Sequence, residues 1–315
     1  MPRMGKRGLL LFAPLAAVAL ALPAGTAAAA SSTASGLKKT RWGKNVTVTY
    51  GSKTVRVRSN GIPNPSRPKY YAVPTSRDVI IPTPETARVA EDPTARSPHD
   101  FKIPLKPRKV ARTTAAPLGS IGFMISGAVL FNPYEGDGRT VAMSSNFFLT
   151  APDGSKAPFV DDCSGHPGGS QYHYHGLPNC VVAETGPATG PSRMIGIAFD
   201  GFPIYGPRDV KGQPVPVSRL DACNGITSAT PEFPRGIYHY VLPGTSDATS
   251  SIRCFHGKVN AGLITQMPPM GPGAGGPPGG GPPPGGGPPP GGAPRTAASV
   301  SAAAPRVLCA LPGRS

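Results

Sequence analysis

One block of this chain occurs twice. Ile121 to Pro133 reads IGFMISGAVLFNP, and 74 residues later, without a gap, Ile195 to Pro207 reads IGIAFDGFPIYGP. Three further landmarks follow in the same order. They are Asp161-x-Cys163-x-Gly165 and Asp221-x-Cys223-x-Gly225, then Tyr172-His173-Tyr174 and Tyr238-His239-Tyr240, then a closing Cys180 and Cys254. Landmarks that recur in a fixed order mark an internal duplication, and a duplication constrains the fold to two copies of one supersecondary unit. Each copy reads as a glycine-centred hairpin, a DxCxG turn, a Tyr-His-Tyr strand and a closing cysteine.

The apolar runs between these landmarks are short and punctuated by Gly, Pro and Asn, with no i, i+3, i+4, i+7 stripe. Strands are expected at Ile121–Ile125, Val129–Phe131, Val141–Met143, Phe147–Leu149, Ile195–Phe199, Ile204–Tyr205, Ile237–Val241 and Ser251–Phe255. The fold class is therefore mostly β: a loop-rich domain of two related β units with intra-unit disulfides, flanked by a Pro-rich basic arm and a disordered Pro/Gly tail. The core spans 118–264, with repeat one at 118–180 and repeat two at 193–256. Ahead of it, residues 31–117 hold a β-hairpin and the arm. Val46, Val48 and Tyr50, then Val55 and Val57, alternate around a Gly51-Ser52 turn. From Pro63 to Pro117 proline is dense, which removes amide donors and fixes φ. An extended segment is expected there, with Val79–Ile81 as its one strand. Residues 265–315 are Pro/Gly/Ala-rich and cannot bury enough apolar surface to offset ordering entropy.

Residues 1–30 read as a secretory signal peptide. Arg3, Lys6 and Arg7 precede an apolar run from Gly8 to Leu22 and then small residues through Ala30. The run is too short for a membrane anchor and is broken by Pro14 and Pro23, so no span is expected in the mature chain. Export places the cysteines in an oxidising compartment. Cys163, Cys180, Cys223 and Cys254 form an even set, and Cys309 is left in the tail. The repeat frame favours Cys163 with Cys180 and Cys223 with Cys254, and a crossed pairing that ties the units together is the alternative.

The formal charge of +16 is local. Residues 37 to 112 hold 17 Lys or Arg against 5 Asp or Glu, whereas the histidine region is close to neutral. A basic exported arm suits anionic cell-envelope polymers as partners. Nucleic acid is not expected, since no binding motif or aromatic interleaving accompanies the charge.

The chemistry concentrates in Asp161 to Cys180, DDCSGHPGGSQYHYHGLPNC. On a strand, Tyr172 and Tyr174 share one face while His173 and His175 share the other. Two imidazoles on one strand face present nitrogen ligands to a transition metal. His166 from the GH turn and His239 from the second copy complete the expected set, with Asp161 or Asp200 as a carboxylate ligand or an acceptor that orients an imidazole. His166, His175 and Asp200 have no like residue in the other copy: Ile226, Val241 and Ser126 stand there. Four imidazoles, or three and an Asp, fit Cu or Zn. Three histidines with an open position would activate water, and copper would bind oxygen. No nucleophile–base pair, carboxylate dyad or phosphate loop is visible, so no catalytic residue is assigned.

These motifs, with IGIAFDGFPIYGP, GIYHY, RCFHG and the earlier SNGIPNP, resemble the YHYH-domain family of exported proteins over roughly Arg41 to Gly262. The resemblance implies an exported domain with a histidine-rich core, and it implies no particular reaction. The chain departs from the family pattern at Ser126, where Asn is usual, and at Val241, where a second histidine often follows the later Tyr-His-Tyr. Two functions of different class follow: a metal-binding domain, open to metalloenzyme chemistry, or a noncatalytic envelope or extracellular interaction module.

Overall fold

The computed structural model describes residues 32–264. The expected signal peptide, the Pro/Gly tail and Cys309 lie outside that range. The chain begins with helix α1 (Ala34–Lys39), strands β1 (Thr47–Tyr50), β2 (Thr54–Ser59), β3 (Tyr70–Pro74), β4 (Ala87–Glu91), β5 (His99–Pro104) and β6 (Lys109–Ala115). Strands β7 (Ser120–Met124), β8 (Val129–Phe131), β9 (Phe148–Thr150), β10 (Lys156–Pro158), β11 (Gly165–Gly168) and β12 (Gln171–Tyr174) follow, then helix α2 (Asn179–Thr185). The second unit supplies β13 (Met194–Ala198), β14 (Pro203–Tyr205), β15 (Gly225–Ser228) and β16 (Ile237–Val241), and β17 (Cys254–Gly257) comes last.

The fold is mostly β and is built from two related units. Its centre is an eight-stranded sheet in the order β11-β12-β8-β7-β13-β14-β16-β15. Each half repeats one plan: a hairpin (β7–β8 or β13–β14), a strand parallel to the hairpin's second arm (β12 or β16), and an antiparallel edge strand (β11 or β15). The halves join through β7 and β13, where Phe123 faces Ile197, Gly122 faces Ala198 and Met124 faces Gly196. Adding 74 to one partner and subtracting it from the other turns this register into itself, which describes a local two-fold axis at the Phe123–Ile197 rung. Gly122 and Gly196 keep that seam close. A Cβ on Gly196 would stand 2.7 Å from Met124 Sδ and 2.9 Å from the Phe123 carbonyl.

The hairpin β1–β2 forms with Gly51 N donating to the Thr54 carbonyl, and β5 pairs on its far side. The buried Val55, Val57 and Ile103 and the half-buried Phe101 carry this small sheet onto the large one. The Phe101 ring lies 4.6 Å from Phe199 and 6.1 Å from Phe123. Removing these aliphatic side chains from water stabilises the contact by about 1.5–3 kcal/mol for each fully buried one.

The proline-dense stretch is more structured than its composition suggests. It contains β3, β4, β5 and β6, while Val79–Ile81 lies in the turn between β3 and β4 and is no strand. Pro74 and Pro104 stand at strand ends, where the missing amide costs least, and the donors between prolines pair with other segments. Val141–Met143 also departs from expectation: Val141 makes a single bridge to Tyr134, and Ala142–Ser144 is a 3₁₀ turn. The strand expected over Ser251–Phe255 starts only at Cys254, because the hydroxyls of Ser250 and Ser251 donate to the carbonyls of His175 and Phe131. No helix among the described residues is long and apolar enough to cross a membrane.

Both disulfides stay within a unit: Cys163–Cys180 and Cys223–Cys254, with Cα separations of 5.3 and 4.7 Å. The crossed alternative is not formed. Closing loops of 17 and 31 residues lowers the entropy of the unfolded chain by about 3–4 kcal/mol each in the chain-entropy picture.

Candidate metal centre

The DxCxG turn sets the geometry. Asp161 Oδ1 accepts from the amides of Cys163 and Gly165, and Ser164 takes a left-handed conformation at φ 59°. Gly165 is bare because a Cβ there would stand 2.5 Å from the Tyr172 hydroxyl and 2.7 Å from the His173 carbonyl. The chain leaves the turn as β11 and pairs with β12, placing His166 directly opposite His173. His175 continues the ladder through its amide, which donates to the Ser164 carbonyl.

The expected alternation holds. Tyr172 and Tyr174 point one way, with ring centroids 5.2 Å apart. The Tyr172 hydroxyl donates to Asp161 Oδ2 at 2.8 Å, and the Tyr174 hydroxyl sits 2.9 Å from Ser126 Oγ. His173 and His175 point the other way, 4.8 Å apart, and His166 joins them at 4.7 and 5.2 Å. One ligand atom from each of the three lies within 4.8 Å of the others, so this group can hold a metal ion.

The backbone fixes their tautomers. His173 Nδ1 lies 3.1 Å from the Gln171 carbonyl and His175 Nδ1 lies 2.8 Å from the Asn132 carbonyl. A carbonyl oxygen only accepts, so both Nδ1 atoms carry hydrogen and both Nε2 atoms carry lone pairs. The Nε2 atoms of His166 and His175 are buried and have no protein partner.

Aromatic rings wall the buried site. Phe131 stacks on His173 at 4.0 Å, and Phe159 meets His166 edge-on at 4.7 Å. Burial, and then the charges of neighbouring imidazoles, hold His166 and His173 well below the usual histidine range. Burial pulls His175 down to about 4. All three are neutral at pH 7, which is the form that binds metals.

The other candidates stand elsewhere. His239 is separated from the triad by β8, β7, β13 and β14. It packs against Tyr205 at 5.0 Å, and its Nδ1 is 3.0 Å from the Ile237 carbonyl. A shared cleft for His173 and His239 is therefore ruled out by strand order. Asp161 lies on the tyrosine side, where Oδ2 accepts from Tyr71 and Tyr172. Asp200 belongs to the second unit, where Oδ2 accepts from the Tyr240 hydroxyl at 2.5 Å and the Gly257 amide at 2.9 Å. Both carboxylates are turn and core acceptors.

The two units use these acceptors alike. Asp221 Oδ2 accepts from Tyr238 as Asp161 Oδ2 does from Tyr172, and Ser126 and Asp200 serve Tyr174 and Tyr240. Where Tyr71 gives Asp161 a second donor, His256 Nε2 stands 3.7 Å from Asp221.

One acidic residue reaches the triad without a motif to announce it. Glu135, in the turn after β8, is 7 % exposed, and its Oε1 lies 3.9 Å from His166 Nε2. Burial, and then the Asp137 carboxylate, push it up to about 8. In the second copy its place falls to Asp209, which caps its own turn through the amides of Lys211 and Gln213. An acid one methylene longer, in the same kind of turn, is the only local hint of an inward side chain.

No curated protein and no solved structure matches the chain. The family described as YHYH protein does match, over residues 100–216 and 213–257, so the two segments overlap near the start of the second DxCxG turn. Together they take in the central sheet, the histidine triad and both disulfides. The chain belongs to the YHYH protein family.

Proposed function

We propose that this chain is an exported domain that binds a transition metal, Cu or Zn, through His166, His173 and His175. The observation that carries the reading is the convergence of three neutral imidazoles on one buried point, with two Nε2 atoms lacking any protein partner. Buried polar atoms without partners are costly, about 1–3 kcal/mol each, and a shared cation repays that cost. Imidazole suits both metals, and the cysteines are spent in disulfides. Export is supported by the N-terminal charge and apolar pattern and by those same disulfides. Purified mature protein, loaded with Cu or Zn and dialysed, should retain one equivalent by elemental analysis. His173→Ala and His175→Ala should lose it. Retention of no stoichiometric metal under any loading condition would end this reading.

A second reading concerns the basic arm. Arg58 and Lys102 are exposed on adjacent strands, and Asp100, beside them, is occupied by Arg56. This surface would bind anionic envelope polymers by charge. Pull-down on anionic wall polymer should weaken steeply with salt and with Arg58→Glu/Lys102→Glu. Binding indifferent to both would remove it.

A further inference from the structure

We infer that Glu135 is the fourth ligand of the His166–His173–His175 centre, which makes it a site of three imidazoles and one carboxylate for a divalent cation. The inference rests on the metal reading above and extends it to a residue outside every sequence motif. Its basis is a conflict of lone pairs. His166 Nε2, His175 Nε2 and Glu135 Oε1 are all buried, and none has a hydrogen-bond partner in the protein. His175 gives its one hydrogen to a backbone carbonyl from Nδ1, so its ε nitrogen presents a lone pair. The ε nitrogen of His166 is left facing the same space without a protein partner.

Glu135 Oε1 and His166 Nε2 are 3.9 Å apart. A hydrogen bond between them would need about 2.7–3.2 Å. No proton bridges that gap, whichever of the two carries it, whereas a metal ion that displaces the carboxyl proton is held by both at about 2.0–2.2 Å each. Glu135 stands beside His166 rather than equidistant from all three imidazoles. Its long side chain has the torsional freedom to turn onto an ion that they share.

The donor set has a consequence for the metal. Three borderline nitrogens and a hard oxygen suit Zn(II) or Cu(II), while Cu(I) prefers soft thiolate or thioether sulfur. The carboxylate also cancels one of the two positive charges that a divalent ion would bring into a site walled by Phe131 and Phe159. Neutralisation of this kind matters most where water is excluded.

Cobalt(II) titration of the full mature chain, read by its visible d–d absorption and by competition with a chelator, tests the assignment. Wild-type protein should bind one equivalent with the intense bands of a four-coordinate ion. Glu135→Gln keeps the shape but offers a weaker neutral donor. It should lose about 10-fold or more in affinity, with weaker and shifted bands. Glu135→Asp, with a shortened reach, should fall between them, and it serves if the Gln variant fails to fold. Wild-type affinity and an unchanged spectrum in Glu135→Gln, alongside loss of binding in His173→Ala, would overturn the role of Glu135 and leave the triad standing. No cobalt binding by wild type would overturn both.

Discussion

His166 and His173 face each other across the β11–β12 ladder, and the same rung of the second unit pairs Ile226 with His239. One backbone thus carries a metal-competent rung at one end of the sheet and half of one at the other. The matching third position is Val241, whose amide donates to the Asn224 carbonyl as that of His175 donates to Ser164. Asn224 even shares the left-handed conformation of Ser164, at φ 66°.

Installing the two missing imidazoles should therefore create a second centre. Ile226→His with Val241→His is expected to raise bound metal from one equivalent to two, since the Ile237 carbonyl already fixes the His239 tautomer. The new centre should be the weaker, because Asp209 faces its own turn. Native mass spectrometry after loading would decide, and a stoichiometry unchanged from wild type would count against the equivalence.

Metal-free protein should lose stability as pH falls from 7 to 5. An unfolded histidine takes a proton near 6.5, whereas His175 and His99 are held at about 4 by burial. The unfolded chain then binds more protons, so stability is full above 6.5 and declines toward the folded values. Each of these two residues contributes about 2 kcal/mol to that loss. Glu135, raised to about 8, and Asp200, raised to about 6 by burial, act in the opposite sense. The folded forms of these two hold or take up protons between pH 7 and 5 that the unfolded chain does not, and together they oppose by about 4 kcal/mol over that interval. Asp161 and Glu184, also raised by burial, oppose as well, and the three further lowered imidazoles, His166, His173 and His239, tip the balance toward acid sensitivity. Urea midpoints in the presence of chelator should drop at pH 5, and equal midpoints would refute the balance.

The two disulfides should separate stability from metal affinity. Cys163–Cys180 encloses all three triad histidines, and Cys223–Cys254 encloses none of them. Alanine pairs at either bridge should each cost about 3–4 kcal/mol in thermal or urea unfolding. Only Cys163→Ala/Cys180→Ala should also weaken metal retention. Equal retention in the two variants would show that the bridge does not organise the centre.

His99→Phe should stabilise the protein. His99 is buried between Phe101 and Phe123, with ring centroids at 5.6 and 6.4 Å, and its Nε2 has no partner. Replacing an unsatisfied polar atom with a ring of similar shape returns about 1–3 kcal/mol. The gain should grow at pH 5, where the unfolded imidazole is charged. A lower urea midpoint at both pH values would mean that the aromatic stack has no room for the larger ring.

The two-unit plan could be read from the chain because it is written locally. Glycines such as Gly122 and Gly165, the Asp-x-Cys turns and the Tyr-His-Tyr alternation each bias their own few residues. What escaped was tertiary. The prolines between Pro63 and Pro117 suppress any strand period, yet Tyr70–Pro74 and Ala87–Glu91 find each other across a turn. The α2 segment is too short to show a stripe over its seven residues. His239 shares a motif with His173 but not a location, because a repeat copies local structure while sheet order decides distance. Glu135 reaches the centre from a turn 31 positions before His166, and no spacing rule links such a pair.

The β7–β13 seam has a consequence beyond architecture. Within the sheet the halves meet along one pair of strands, with the Ser250 and Ser251 hydroxyls as a second tie, and the two histidine rungs stand four strands apart. Such a molecule keeps a spare. One end can be held to a demanding task while its twin supplies rigidity and accumulates substitutions at little cost. The second histidine rung is then a vacancy that mutation can fill without disturbing the first.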